Sequence, residues 1–180
     1  LSNTYLQSCT VEGDNQMLPQ QVIKVLLKLV GAVQSGKDAA LKEYEVTDMK
    51  YLIKPLKELM KNSASGTLPT KSTFAFPSSI NNNAGSNEFM NVSTLLSAFQ
   101  YRSACLLLDV AIQLQFSTGT AQQAWNDALL AMARASRAHA SYLLLRDFAN
   151  GLDAQRRKGS GASCLGPNEL VVLSQCLVLL

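Results

Sequence analysis

The sequence contains few of the residues that usually form compact catalytic or metal sites. Among its 180 residues there is one histidine, so no Ser-His-Asp triad is indicated. The four cysteines lack close C-x-x-C spacing, which argues against a structural zinc site or another metal centre. No glycine-rich phosphate loop is present. These absences leave a carboxylate as the main catalytic candidate. Because nothing demands disulfides, a reducing compartment fits.

Aromatic residues are also scarce, at 7% of a chain that is 47% hydrophobic. The apolar residues are mainly leucine and alanine, which favours helices over sheets, and no segment alternates like a strand. The net charge of +3 comes from scattered basic residues, so nucleic-acid binding is not expected. There is no signal peptide and no uninterrupted apolar run long enough to span a membrane. We therefore predict an all-α protein.

Helical periodicity and turn signals predict a bundle of long antiparallel helices. A first helix is expected to begin near residues 15–19 and to end by Gly36. Residues 62–87, rich in Ser, Asn, Gly, Thr and Pro, form the clearest boundary in the chain. Beyond this boundary a long helix is broken at residues 118–120, and a second one is expected over about 121–152.

The two segments after the first helix carry weaker signals. Residues 37–48 are rich in charge, which predicts a surface connection with room for a helical turn. Residues 49–61 can hold a short helix, although Pro55 argues against a long regular one.

The pair Glu12-Gly13 is the most informative polar feature, because it stands where an irregular approach enters the first helix. Unpaired N–H groups at a helix start can bind an anion or a cofactor. From pattern alone, an acidic residue and a glycine before a helix more often form a cap and a turn. A carboxylate can also remove a proton next to a carbonyl in a dry site, and Leu6, Cys9 and Val11 supply a partly apolar setting.

The second long helix offers further polar candidates. His139 can in principle act as a base, but a packed, hydrogen-bonded helix histidine is the favoured interpretation. Arg134 and Arg137 can bind a phosphate or a carboxylate, and a solvated or ion-paired helix face is favoured for them. None of these three residues is therefore chosen as a catalytic group.

Four short motifs occur in order along the chain. Residues 8–15 read S-C-T-V-E-G-D-N, residues 74–77 read F-A-F-P, and residues 98–104 read A-F-Q-Y-R-S-A. Residues 124–126 read A-W-N, and residues 134–139 follow with R-A-S-R-A-H. In this order and spacing the motifs resemble the peroxisomal acyl-CoA oxidase family, which has the acyl-CoA dehydrogenase fold. Val11 and Phe76 depart from the family's usual Phe and Trp.

The resemblance implies FAD-dependent α,β-oxidation of a fatty acyl-CoA. In that family a glutamate removes the α-proton, hydride passes to flavin N5, and O₂ reoxidises the flavin to give H₂O₂. By the motif, Glu12 takes the place of this glutamate, and Gly13 leaves room for the substrate thioester. Asp14, Asn15 and Gln16 follow the motif and are the candidate cofactor contacts.

The resemblance also implies a domain organisation. Residues 1–61 would end the flavoprotein helical domain, residues 62–93 would be a linker, and residues 94–180 would begin the oxidase-type C-terminal helical domain. The apolar run at Leu180 has no glycine or polar stop, so we expect a fragment of a longer protein. The isolated piece should then be inactive, because most of the flavin and acyl-CoA contacts of the family lie upstream.

The implied partners are a fatty acyl-CoA, O₂ and a second subunit in a homodimer, and the implied location is a peroxisome or a related microbody such as a glycosome. Two alternatives stay open. A dehydrogenase of the same fold would pass its electrons to a flavoprotein. A non-catalytic helical interaction module would explain the departures at Val11 and Phe76 and the Asn-rich insert.

Overall fold

The computed structural model of the chain describes residues 14–36, 38–61 and 92–157. In these ranges the secondary structure is helical, with no strand, which confirms the all-α prediction. The helices are α1 Asp14–Ser35, α2 Asp38–Glu45, α3 Lys50–Lys61, α4 Val92–Gln115, α5 Ala121–Asp127 and α6 Leu129–Arg157.

Helix α1 follows the predicted bounds. Its buried residues recur at helical spacing along one face; they are Ile23, Leu26, Leu29, Val30 and Val33. Gly36 ends the helix with φ +63°, a left-handed conformation that costs glycine little, and its N–H donates to the carbonyl of Val33 at 3.2 Å. A helix that ends at this glycine was expected from the sequence.

The weakly predicted segments form two helices that pack on α1 and on each other. Helix α2 occupies most of the charged connection, and α3 runs through Pro55, which is buried with Leu52, Leu56 and Leu59. Pro55 lies in the second turn of α3, and its missing N–H removes one hydrogen bond from the helix.

The long helices differ from the sequence prediction at one point. The break after α4 is confirmed, but the single helix expected over 121–152 was wrong, because α5 and α6 are separated at Ala128. The Ala128 N–H still donates to the Ala124 carbonyl at 3.2 Å, and the Met132 N–H donates to the Ala128 carbonyl at 2.9 Å. The backbone therefore crosses the junction with little loss of hydrogen bonding, which periodicity alone does not reveal.

The described residues divide into two compact units. The first unit contains α1, α2, α3 and α5 with residues 102–115 of α4 and 129–139 of α6. The second contains residues 92–101 of α4 and 140–157 of α6. In the second unit the start of α4 packs against the end of α6, so the two segments are antiparallel; the residues are Val92, Leu95, Leu96 and Phe99 on Leu145, Ala149 and Leu152.

Helix α4 is long and apolar enough to cross a membrane by length and composition alone, with 33% of its most apolar window buried. Core helices of water-soluble proteins satisfy the same criterion, so this helix is weak evidence for a span.

Candidate functional site

The predicted site residues lie at and before the start of α1. Glu12 and Gly13 fall outside the described residues, as does the F-A-F-P motif at 74–77. Asp14, Asn15 and Gln16 form the first turn of α1. The helix therefore begins directly after the Glu-Gly pair, where backbone N–H groups have no partner inside the helix.

Helix α1 is joined to α5 by polar side chains on one of its faces. The Trp125 Nε1–H donates a hydrogen bond to Gln20 Oε1 at 3.0 Å, across 105 residues of sequence. One turn further along α1, Lys24 Nζ lies 5.5 Å from the centre of the Trp125 ring, within range of a cation–π interaction. Trp125 belongs to the A-W-N motif, so a motif residue fixes the helix that follows Glu12 and Gly13.

The position of Trp125 depends in turn on how α5 begins. Thr120 caps the helix: its Oγ1 accepts from the Gln123 N–H at 3.3 Å, while its own N–H donates to Gln123 Oε1 at 3.0 Å. A Cβ at Gly119 would lie 2.9 Å from Gln123 Oε1, so only glycine fits beside this capping box without moving that side chain. The predicted break at 118–120 is therefore also the start signal of α5.

A second polar contact joins α3 to both long helices within the first unit. Tyr51 Oη lies 2.7 Å from His139 Nδ1 and 3.0 Å from Ser103 Oγ, and Ser103 is 1% exposed. The Tyr51 and His139 rings stack with centroids 5.8 Å apart and planes inclined by 14°. The interpretation of His139 as a packed, hydrogen-bonded residue is confirmed. The sequence offered no signal for its partner Tyr51, which is 88 residues away.

The arginines of the R-A-S-R-A-H motif are exposed, which agrees with the solvated or ion-paired face expected for them. Arg134 lines a shallow cleft with Asp109 and Asp127, in which a Gln113 amide donates to the Asp109 carboxylate at 3.1 Å. The two carboxylates make this cleft a poor site for a phosphate or another anion.

The second unit contains an apolar cleft of about 340 Å³. Its lining residues are Phe99, Ser141, Leu144, Leu145 and Phe148. Sequence reasoning missed this cleft, although four of the five residues recur at helical spacing on α6. None of these lining residues is ionisable, so the cleft can hold an apolar group but supplies no acid or base.

Tyr142 is a buried ionisable residue of the second unit. Burial raises the pKa of its phenol above the ordinary 10.0; the nearby Arg146 lowers this pKa and Asp147 raises it. Arg146 Nε also bonds Asp147 Oδ1 at 2.8 Å, so the two opposing charges form an ion pair beside the phenol. Tyr142 is therefore a protonated, structural residue at neutral pH.

The described residues can be tested for a metal or a cofactor. They contain no cluster of three His, Cys, Asp or Glu side chains that could hold a metal ion. For a flavin dinucleotide, the first turn of α1 offers backbone N–H groups that have no partner inside the helix, and such groups suit phosphate or carbonyl oxygens.

Comparison with known proteins indicates the class to which the chain is related. Residues 91–176, which include α4, α5 and α6, match the family model described as acyl-CoA oxidase. Peroxisomal acyl-coenzyme A oxidase 1 is 25% identical over 152 residues in both Mus musculus and Phascolarctos cinereus, and 24% identical in Rattus norvegicus. In each case the alignment covers 83% of this chain. No solved structure matches the chain significantly.

These matches confirm the resemblance inferred from the sequence: residues 91–176 are similar to the acyl-CoA oxidase family. It spans 20% of the length of the curated relatives that it matches. Two of the four motifs, A-F-Q-Y-R-S-A and A-W-N with R-A-S-R-A-H, lie inside the matched residues. The motif with Glu12 lies before them.

Proposed function

We propose that the chain is part of an FAD-dependent acyl-CoA oxidase, which converts a fatty acyl-CoA to the trans-2-enoyl-CoA and forms H₂O₂ during β-oxidation. The observation that carries this proposal is the start of α1 directly after Glu12-Gly13, in a chain that matches the acyl-CoA oxidase family at residues 91–176. The proposal includes the domain assignment of residues 1–61, 62–93 and 94–180 given by the resemblance.

In this proposal Glu12 is the catalytic base. The α-proton of a thioester is weakly acidic, so a carboxylate removes it only where water is excluded and its own pKa is raised. Gly13 has no side chain and leaves room for the thioester beside the carboxylate. When bound, FAD supplies the hydride acceptor for the β-carbon and the redox centre at which O₂ is reduced.

Asp14, Asn15 and Gln16 are the proposed cofactor contacts. They form the first turn of α1, and the helix start offers backbone N–H groups and a positive dipole end to electronegative cofactor atoms. The rest of the flavin site must come from outside these residues. We therefore expect the 180-residue piece alone to bind no stoichiometric flavin and to produce no H₂O₂.

The proposal also includes a homodimer and a location in a peroxisome or a related microbody. The curated relatives are named peroxisomal, which supports the location. Exposed apolar side chains on α6, Leu130 at 65% and Leu144 at 73%, support burial against another subunit. Light scattering of the complete protein and its location in fractionated cells test these two points.

The decisive experiment replaces Glu12 by glutamine in the complete protein that carries this segment. We expect the turnover number to fall about 10²- to 10⁴-fold, the usual contribution of a general base, with the flavin content unchanged. Glu43→Gln is the matched control, because it makes the same chemical change on the exposed surface of α2. If acyl-CoA still bleaches the flavin in the Glu12 variant, Glu12 is not the base.

The same assay separates the oxidase from the dehydrogenase alternative. An oxidase forms one H₂O₂ per enoyl-CoA with O₂ as its only acceptor. Turnover that requires an added electron-transfer flavoprotein and yields no H₂O₂ would contradict the oxidase proposal.

A further inference from the structure

Helix α5 makes little hydrophobic contact with the rest of the first unit. Of its seven residues, Ala124 is buried and Trp125 is half-buried, while the other five are exposed. The link before it, residues 116–120, is also largely exposed, with Phe116 at 59%. Few buried apolar contacts and exposed backbone hydrogen bonds are features of a segment that opens locally. The structure thus places a weakly held segment between α4 and α6.

The helices on either side of this segment are held much more firmly. In the first unit the buried residues of α4 are Ser103, Ala104, Leu107, Leu108 and Val110, and those of α6 include Met132, Ala135 and Ala138. From α5 itself, Ala124 is the one side chain that is buried. Detachment of α5 would therefore leave most of the surrounding core contacts in place.

The backbone at both ends of α5 allows such a movement. On its N-terminal side, residues 116–120 lie outside the helices. On its C-terminal side, Ala128 has φ −85° and ψ −4°, whereas a regular helix has values of about −63° and −42°. The Ala128 N–H is shared between the carbonyls of Ala124 and Asn126. The chain can therefore change direction at Ala128 without a change inside α6.

The contact of Trp125 with α1 connects this weakly held segment to a helix far away in sequence. The indole N–H donates to Gln20 Oε1 at 3.0 Å, and Lys24 Nζ lies 5.5 Å from the centre of the ring. Gln20 and Lys24 are four residues apart, so they lie on one face of α1. Because both contacts are made by one indole, they form and break together.

We propose that residues 116–127 form a strap that opens from α1 as a local unit, with Trp125 as the latch that closes it on Gln20 and Lys24. The closed strap covers this face of α1, and the open strap exposes both the face and the indole. The inference is independent of the proposed reaction, because every residue that it uses belongs to the described part of the first unit.

Hydrogen–deuterium exchange of the complete protein, followed by mass spectrometry of its peptides, tests the local opening. The conditions are those in which the exchange rate reports the opening equilibrium. We expect the amides of residues 124–127 to exchange at least about 10-fold faster than those of residues 132–139 on α6. Equal protection of the two stretches would overturn the proposal, because α5 would then open only together with the core.

The latch is tested by removing the hydrogen bond from either side. Gln20→Leu removes the acceptor at similar size, and Trp125→Phe removes the donor but keeps a ring. We expect each variant to speed exchange of residues 124–127 about 3- to 10-fold, the usual net effect of one hydrogen bond on an equilibrium constant, with residues 132–139 unchanged. Lys28→Met, an exposed change on α1, is the matched control and should alter neither stretch. Unchanged exchange in Gln20→Leu overturns the latch.

The double variant Gln20→Leu/Trp125→Phe shows whether the two residues act through each other. If their hydrogen bond is the latch, the double variant opens about as much as either single variant, because the second substitution has no bond left to remove. Effects that multiply in the double variant would show that the residues act separately, and would overturn the latch. An increase spread equally over α5 and α6 would indicate a general loss of stability and would also reject it.

Discussion

The contacts described inside the first unit differ in kind from those described inside the second. In the first unit, side chains far apart in sequence form hydrogen bonds between helices, as Trp125 does with Gln20 and Tyr51 with His139. In the second unit, the start of α4 and the end of α6 meet through an apolar cluster around Leu145. Hydrophobic contact is non-directional, whereas a hydrogen bond fixes distance and angle. The first unit thus combines its hydrophobic core with directional contacts between helices.

Loss of a polar contact in the first unit gives the largest expected effect on stability. Tyr51→Phe removes the hydroxyl that pairs with His139 and with the buried Ser103, and it leaves their polar atoms without that partner. We expect a loss of about 1–3 kcal/mol in the free energy of unfolding, measured by urea denaturation. Tyr44→Phe on α2 is the matched control, with an expected change below about 0.5 kcal/mol. Equal effects of the two substitutions would show that the contact contributes nothing.

A pair of glycines in the same unit gives effects of opposite sign. Gly36 ends α1 with φ +63°, so Gly36→Ala is expected to destabilise the protein by about 1 kcal/mol. Gly31 lies inside α1 with no atom within 4 Å of an added Cβ, so Gly31→Ala should stabilise the protein by about 0.5–1 kcal/mol. Thermal unfolding of both variants checks the signs. A stabilising Gly36→Ala would mean that α1 does not end at this left-handed residue.

The smallest effect concerns Tyr142, a buried ionisable residue of the second unit. Burial raises the pKa of Tyr142 in the folded state, so below pH 10.0 the phenol is protonated in both states and its contribution to stability is fully present. Above this pH the unfolded chain ionises first, and stability falls as pH rises through the raised pKa.

Tyr142→Phe should therefore weaken the alkaline decline in the unfolding midpoint. The tyrosinate ultraviolet absorption of the folded protein should show a phenol that titrates above pH 10.0 and that is lost in Tyr142→Phe. An alkaline decline that is as steep in Tyr142→Phe as in the parent protein would contradict the assignment, and Tyr44→Phe serves again as the control.

The sequence predicted the helices better than the contacts between them. The helical class, the end of α1 at Gly36 and the break at 118–120 were correct, because each depends on periodicity or turn residues. The continuous helix over 121–152 was wrong, since no turn residue marks the junction at Ala128. The base Glu12 and the domain boundaries stay predictions.

For the candidate site, the sequence identified the motifs but did not show which of their residues contact other helices. It marked the pair Glu12-Gly13 and the A-W-N motif as separate pieces of one family pattern. Neither helical periodicity nor motif spacing predicts the hydrogen bond between Trp125 and Gln20. Two polar side chains on different helices come within hydrogen-bonding distance only after the helices have packed. The apolar cleft beside Phe148 was missed because Phe99 on α4 meets the lining residues of α6 only after the two helices have packed.

By itself, the sequence determined the helical class, the end of α1 at Gly36, the break at 118–120 and which family the chain resembles. These properties depend on interactions within three or four residues, such as the capping box of Thr120 and the buried stripe of α1. Only the tertiary structure decided that Trp125 holds the start of α1 and that Tyr51 joins His139 to Ser103. The reason is physical: directional contacts between residues 52 to 105 positions apart exist only once the hydrophobic faces have set the helix positions.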